Sequence, residues 1–146
     1  APIARLARAH LGRGEPRAAL DGLRAGQVRL PAAIYLRYLE ALVLATSPDP
    51  QVRDGDAAFE LARGLVAETR GQDPAALLAL AAASAEQGDL AAAHRGLASA
   101  KALALLGRKA NLLPLLEEVE RRLRARGRLR FEAVDWRELL FRSSRL

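Results

Sequence analysis

The chain has 146 residues, 51% of them hydrophobic, a net charge of +6 and no cysteine. That length suits one domain, and the apolar content is enough for a core, although much of it is alanine and brings little volume per residue. Three Phe, two Tyr and one Trp are too few for an aromatic-rich β sandwich, and the lack of Cys excludes disulfides and thiolate metal sites while leaving the redox compartment open.

Ala, Leu, Arg and Glu dominate, which favours helices. The longest apolar or small run, residues 75–85, is far short of the roughly twenty residues a membrane helix needs, so no span is expected. No signal peptide is visible, and the first residues are Ala1-Pro2, which fits a processed terminus or an excised domain. This leaves the compartment unknown, with the cytoplasm slightly favoured and the periplasm fitting a processed or excised domain. Charge is uneven: residues 1–106 carry 12 basic and 11 acidic side chains, while residues 107–146 carry 11 and 6.

In chain order, Leu6, Ala7, His10 and Leu11 share one helix face, Gly12-Arg13-Gly14 forms a turn, and Ala18, Ala19, Leu23 and Gly26 form the face of a second helix closed by Pro31. A longer unit follows. Its first helix covers about Pro31 to Thr46, with Tyr35, Tyr38, Leu39, Leu42 and Leu44 as anchors. The prolines and Gly of residues 47–55 forbid continuous helix, and the second helix resumes with Asp54 or Asp56 as cap and runs to about Thr69.

Residues 73–100 hold the best-formed unit. Asp73-Pro74 is a helix start, Leu77, Leu80, Ala81 and Ser84 make one face, and Gly88-Asp89 stops one helix and caps the next. Leu90, Ala93, Leu97 and Ala100 make the second stripe, whose alanines leave room for close backbone approach. Leu6, Ala7, His10, Gly14, Ala19, Leu23 and Gly26 each fall 74 residues before Leu80, Ala81, Ser84, Gly88, Ala93, Leu97 and Ala100. Hairpins of this size cannot bury their apolar faces alone, so stacked copies are expected. The middle copy is about six residues longer, since Ala41 falls 34 residues after Ala7 and 40 before Ala81.

After Gly107, Asn111 can cap a helix with Pro114 in its first turn and Leu112, Leu116, Val119 and Leu123 as its buried stripe. Glu117–Arg121, Glu118–Arg122 and Glu120–Arg124 are carboxylate-first pairs at a separation of four, each worth about 0.2–0.5 kcal/mol. Gly127 ends this sealing helix. The tail, residues 128–146, is separate. Asp135 can cap a short helix in which Trp136, Leu139 and Leu140 share a face near Phe131 and Phe141, and Leu146 closes the segment. Two roles fit this anchor: it folds back over the open end of the array, or it inserts into a partner or a neighbouring copy as a helical anchor, a route to self-association.

Catalysis finds little support, and the chain is read as a non-enzyme. His10 and His94 lie in different units, and no GxSxG, phosphate-binding Gly-Lys loop or HExxH occurs. Asp49, Asp54 and Asp56 share a loop, yet capping explains them and EF-hand spacing is absent, so no metal and no cofactor is expected.

A unit of about 34 residues, helix–turn–helix, with Leu and a small residue in the first helix, Gly at the turn, Ala at the packing point of the second and Pro at the end, is similar to the tetratricopeptide repeat over residues 3–126. The order ATSPDP, RDG, DPAAL resembles repeat arrays that close many larger bacterial proteins. His10 and Ser84 stand where the family usually has Tyr, and Glu40 where it has Leu. The resemblance implies an all-α, right-handed superhelical solenoid of about three repeats over residues 1–127, with a capping helix and a short tail helix. It also implies a concave groove lined by Arg8, Tyr35, Tyr38, Leu42, Leu78, Ala82, Glu86, Leu112 and Leu116. Tyr38 fits equally as filler between hairpins. The Lys and Asn set with which some relatives clamp a terminal carboxylate is missing. The function implied is a scaffold that binds a peptide or partner helix. The competing class is nucleic-acid or anionic-surface binding through Arg121, Arg122, Arg124, Arg126, Arg128 and Arg130, although the first three have local Glu partners.

Overall fold

A computed structural model of the protein describes residues 2–141, so the last five positions of the expected tail, Leu146 among them, lie outside the described residues. Every regular element among those residues is helical. Helices α1 (Pro2–Gly12) and α2 (Pro16–Arg29), α3 (Ile34–Thr46) and α4 (Gly55–Glu68), and α5 (Pro74–Glu86) and α6 (Leu90–Leu105) form three antiparallel hairpins. A 3₁₀ turn, Ala110–Leu112, leads into α7 (Leu113–Arg126), and α8 (Ala133–Asp135) runs directly into a π-helical turn, Trp136–Leu140. Neighbours in the chain pack on one another from α1 to α7, α3 also packs on α5, and the tail elements pack on α1.

Local chemistry sets the helix starts. The carboxylates of Asp54, Asp73 and Asp89 accept from the amides of Ala57, Ala75 and Ala92 at 3.1, 2.9 and 3.0 Å, satisfying donors that a first helical turn leaves open. The outer hairpins turn identically. Gly14 and Gly88 adopt φ of 75° and 87°, and the amides of Glu15 and Asp89 donate to the carbonyls of His10 and Ser84 at 2.9 Å in both. These equivalent atoms are separated by the 74-residue offset read in the sequence. The second-helix caps Glu15, Asp54 and Asp89 are spaced by 39 and 35 residues, so five of the six extra residues of the middle hairpin lie in its loop. There Val52 is buried and the amide of Asp54 donates to the Leu44 carbonyl at 2.8 Å.

The core runs the length of the stack. Ala19, Ala58, Ala62, Ala93 and Ala100 are fully buried where second helices meet their partners, with Leu23, Leu65 and Leu97 beside them. Almost all of α5 is buried, from Pro74 to Ala85, with Leu80 alone half-buried. Glu40 is buried, but α2 satisfies it: Arg24 Nε and Gln27 Nε2 donate to its two oxygens at 2.9 and 2.6 Å. A buried charge paired twice in this way avoids the cost of an orphaned carboxylate.

Three local expectations change. Leu6 is 56% exposed, since none of the described helices covers that part of α1. Asn111 sits inside the 3₁₀ turn and Leu112 stands at the cap position of α7, whose first turn carries Pro114 as expected. Arg121 pairs with Glu118, three residues away, in place of Glu117, whereas Glu118–Arg122 and Glu120–Arg124 form at a separation of four. Among the described residues no helix is long and apolar enough to cross a membrane.

Two glycines of α2 test the packing with opposite signs. A Cβ on Gly26 would lie 2.5 Å from Ile3 Cγ2, whereas one on Gly22 would meet nothing within 4 Å. Gly22→Ala should therefore stabilise by about 0.5–1 kcal/mol through reduced backbone entropy in the unfolded chain. Gly26→Ala should destabilise by about 1–3 kcal/mol through overpacking. Urea melts followed by circular dichroism should show midpoints moving in opposite directions, and a common direction would refute the close α1–α2 contact.

Candidate functional site

The site is built on the first helices of the three hairpins. Arg8, Leu42 and Ala82 occupy one column at offsets of 34 and 40, and one turn further along the same helices lie Gly12, Thr46 and Glu86. The C-terminal segment touches this second column at every position.

Gly127, at φ 69°, ends α7 in the left-handed conformation that reverses the chain, and Leu129 is buried just beyond. Arg130 Nη1 then donates to Glu86 Oε1 at 2.7 Å, while Arg53 Nε approaches Glu86 Oε2 at 3.2 Å, so one carboxylate is held between two guanidiniums. Gly55 makes room for it, since a Cβ there would lie 2.9 Å from Glu86 Cγ. The amide of Phe131 donates to the Thr46 carbonyl at 3.0 Å, filling one of the acceptors that the last turn of α3 leaves open. Arg137 Nη1 donates to the Gly12 carbonyl, the equivalent acceptor on α1. At the far end Arg8 lies with its guanidinium 4.7 Å from the Phe141 ring centroid and donates to the Phe141 carbonyl.

Between these polar clamps runs an aromatic row. Phe131 meets Trp136 edge-on at 5.6 Å between centroids, and Trp136 stacks on Phe141 at 5.5 Å. Phe131, Trp136 and Leu140 are buried, while Leu139 and Phe141 are half-buried. Glu132, and not Asp135, is the cap of α8. Asp135 is the third helical residue, and its Oδ2 accepts from the Glu132 amide at 3.0 Å in a capping box. Its other oxygen accepts from Arg122 Nη2 at 2.9 Å, which ties the tail to α7.

The tail thus lies along the first-helix column of its own chain. Of the positions expected to line a groove, Tyr38, Leu42, Leu78, Ala82, Leu112 and Leu116 are buried in the core and offer no surface to a partner. The cause is packing: α3 and α5 are covered by neighbouring helices on more than one side. Arg8, Glu86 and Tyr35 remain half-buried, the first two in contact with the tail. Tyr35 leans on Tyr38 with centroids 6.2 Å apart and borders clefts of about 290 and 360 Å³ on either side. Burial, with smaller effects from Tyr35 and Asp73, pushes the Tyr38 phenol pKa up, and its hydroxyl finds no hydrogen-bond partner among the described residues.

Compared with protein-family models, curated proteins and solved structures, the chain matches none. Its own geometry therefore carries the functional reading. Four of the six arginines in the basic run are already engaged: Arg121 and Arg122 with Glu118, Arg122 also with Asp135, Arg124 with Glu120, and Arg130 with Glu86. Arg126 and Arg128 are exposed beside them, and Arg121 and Arg124 keep 68% and 70% of their side chains exposed next to their carboxylates.

The sequence reading missed Gly12, Arg53 and Arg137, and it gave Thr46 no role beyond ending a helix. Extending the column Arg8, Leu42, Ala82 by one turn would have found Gly12 and Thr46, since that column already led to Glu86. Nothing local marks Arg53 or Arg137, whose partners lie 33 and 125 residues away.

The tail clamp on α7 titrates. Hydrogen bonds from Arg121 and then Arg122 hold the Glu118 carboxyl down to about 2. For Asp135, burial works to raise the pKa, but the bonds from Arg122 and the Glu132 amide outweigh it and the net shift is downward. A depressed carboxylate stabilises the folded form above its unfolded pKa and loses that contribution as pH falls through the folded value. Fluorescence of Trp136, the sole tryptophan, should thus report tail release as pH falls from about 4.5 towards 2. Arg122→Gln should move that transition to higher pH, and an unshifted transition would disprove the clamp.

Proposed function

We propose that this chain is a protein-interaction scaffold that docks a peptide or partner helix along the first helices of its hairpins, in the manner of a tetratricopeptide array. On this reading the three hairpins form a right-handed superhelical solenoid of tetratricopeptide-like repeats, α7 seals its last hairpin, and the docking strip lies on its inner face. What supports the reading is one observation: a single segment makes a directed contact with the same position of three successive hairpins, at Gly12, Thr46 and Glu86. Two of those contacts use carbonyls at helix ends, which accept from any backbone or cationic donor regardless of sequence. The third uses a carboxylate fixed by Arg53 and therefore selects positive charge. Aromatic anchors supply the area between them. This is the pattern of a peptide site, with main-chain acceptors giving affinity and pockets with charges giving choice. No catalytic role is assigned to any residue.

Selection from a displayed library of helical peptides tests it, run on the full chain and on its Arg130→Glu variant so that tail occupancy cannot hide the strip. Enriched peptides should lose at least about tenfold in affinity, or about 1.4 kcal/mol, when Glu86→Arg and Arg8→Glu are combined in a chain of unchanged helicity. Failure to enrich on either chain, or binding indifferent to both changes, would overturn the scaffold reading.

A further inference from the structure

We infer that residues 128–141 are a detachable internal ligand, and that the strip accepts in exchange a partner segment of the same chemistry. That chemistry is a cationic residue followed directly by an aromatic one in extended backbone, then a short helix with a second aromatic one turn in. The inference rests on the scaffold reading and adds the class of partner and the way access is controlled.

Three observations carry it. The first is the division of contacts. The three hairpins pack on one another through Leu23, Leu65, Leu97 and the alanines around them. The tail adds Leu129, Phe131, Trp136 and Leu140 to that core, and its seating is directed by Arg130 to Glu86, Arg137 to the Gly12 carbonyl, Arg8 to Phe141 and Arg122 to Asp135, all involving partly exposed side chains. Polar contacts at such exposure are individually weak, so the buried rings supply most of what holds the segment, and a partner bringing matching rings can take their place.

The second is the connection. Residues 128–132 are non-helical and follow Gly127 in the left-handed region, so a few backbone rotations there free the segment while α7 stays in place.

The third is imperfect fit. A cleft of about 210 Å³ stays open where the tail meets the strip, between Leu11, Val43 and Ser47 on one side and Phe131, Ala133 and Trp136 on the other. Ala133 is the smallest tail side chain lining it, and its Cβ would stand 3.8 Å from a Cβ at Gly14. A segment that fills this cleft gains apolar contact the chain's own tail forgoes, which is how an external ligand can displace a tethered one despite the tether's millimolar effective concentration. The two ends of the strip set polarity. Glu86 asks for a cation at the extended end, and the Arg8 guanidinium asks for an aromatic ring and a helix-end carbonyl at the other.

The test uses a fluorescein-labelled peptide of residues 128–141, read by anisotropy against the full chain. Two variants loosen the tail. Trp136→Ala removes the central ring, and Arg130→Glu sets like charges against each other at Glu86 and, being at the rim, keeps the test decisive should Trp136→Ala lose helicity. A third chain carries Gly12→Cys with Arg137→Cys. A Cβ at Gly12 lies 3.0 Å from Arg137 Cγ and the chain has no other cysteine, so oxidation locks the tail down.

The peptide should bind the loosened chains at least about tenfold tighter than the native chain, since apparent affinity scales with the fraction of open strip. Oxidation of the cysteine pair should abolish binding and reduction restore it. Ala133→Leu should act with opposite signs, raising affinity when placed in the peptide and lowering it when placed in the chain. Equal binding to native, loosened and locked chains overturns the inference, as does no binding to a loosened chain that keeps its helicity. A concentration-dependent dimer of the loosened chains in place of peptide binding would overturn it in favour of exchange between copies. If library peptides bind the strip while this peptide does not, the inference falls and the scaffold reading stands.

Discussion

Helix α5 can be buried on nearly every side only because most of its side chains are single methyl groups. Seven of its thirteen residues are alanine, and α3, α4 and α6 all lie against it. An alanine-lined contact removes little area per residue, so the stabilisation must come from short distances and many atoms, and dispersion falls off steeply with any gap. At the α5–α6 crossing the contact is closest where Gly96 faces Ala81, a Cβ there standing 3.4 Å from the Ala81 Cβ and 3.6 Å from the Leu77 carbonyl. The same logic places Gly26 against Ile3 at the other end of the stack. Larger side chains at these points would push the helices apart and break the alignment on which the strip depends.

That alignment is what turns three separate helix ends into one surface. Equivalent residues of the three hairpins follow one another at offsets of 34 and 40, α3 packs on α5, and α1 and α3 each end in carbonyls that their own helices leave open. A helix end facing water satisfies such carbonyls with solvent. Here Phe131 and Arg137 supply the donors instead, and both sit on the segment that the Gly127 reversal returns across the array. The tail position follows from a general property of helix termini more than from any specialised motif.

Much of this was legible in the sequence, and the limits have a physical cause. The 74-residue offset gave the hairpins, their turns and the equivalence of Gly14 with Gly88, because turn glycines and capping aspartates act within a few residues of themselves. Asp54, Asp73 and Asp89 were readable as starts for the same reason. Periodicity also marks which face of a helix is apolar, but it is silent on what covers that face. So Leu6 and Leu80, in the same register, differ in exposure, the second lying on a helix that α3, α4 and α6 all cover. Tyr38 is buried while Tyr35, three residues earlier, is only partly covered. Glu40 reads as a misfit until α2 provides Arg24 and Gln27, which no local pattern could announce.

The uneven charge of the chain takes its meaning from the same geometry. The basic excess of the last forty residues first suggests an anionic partner, yet several of these side chains are set against carboxylates of the array and of the same segment. Lys109 meets Asp73 at 3.0 Å, Arg130 meets Glu86, and Arg122 bridges Glu118 on α7 to Asp135 in the tail. Arg suits the bridging role because its planar fork reaches two acceptors at once, which a lysine ammonium on its flexible stem would hold less firmly. The charges do little for net stability at these exposures, and their effect is on register: they fix which residue of the tail faces which hairpin while the aromatic rings supply the area.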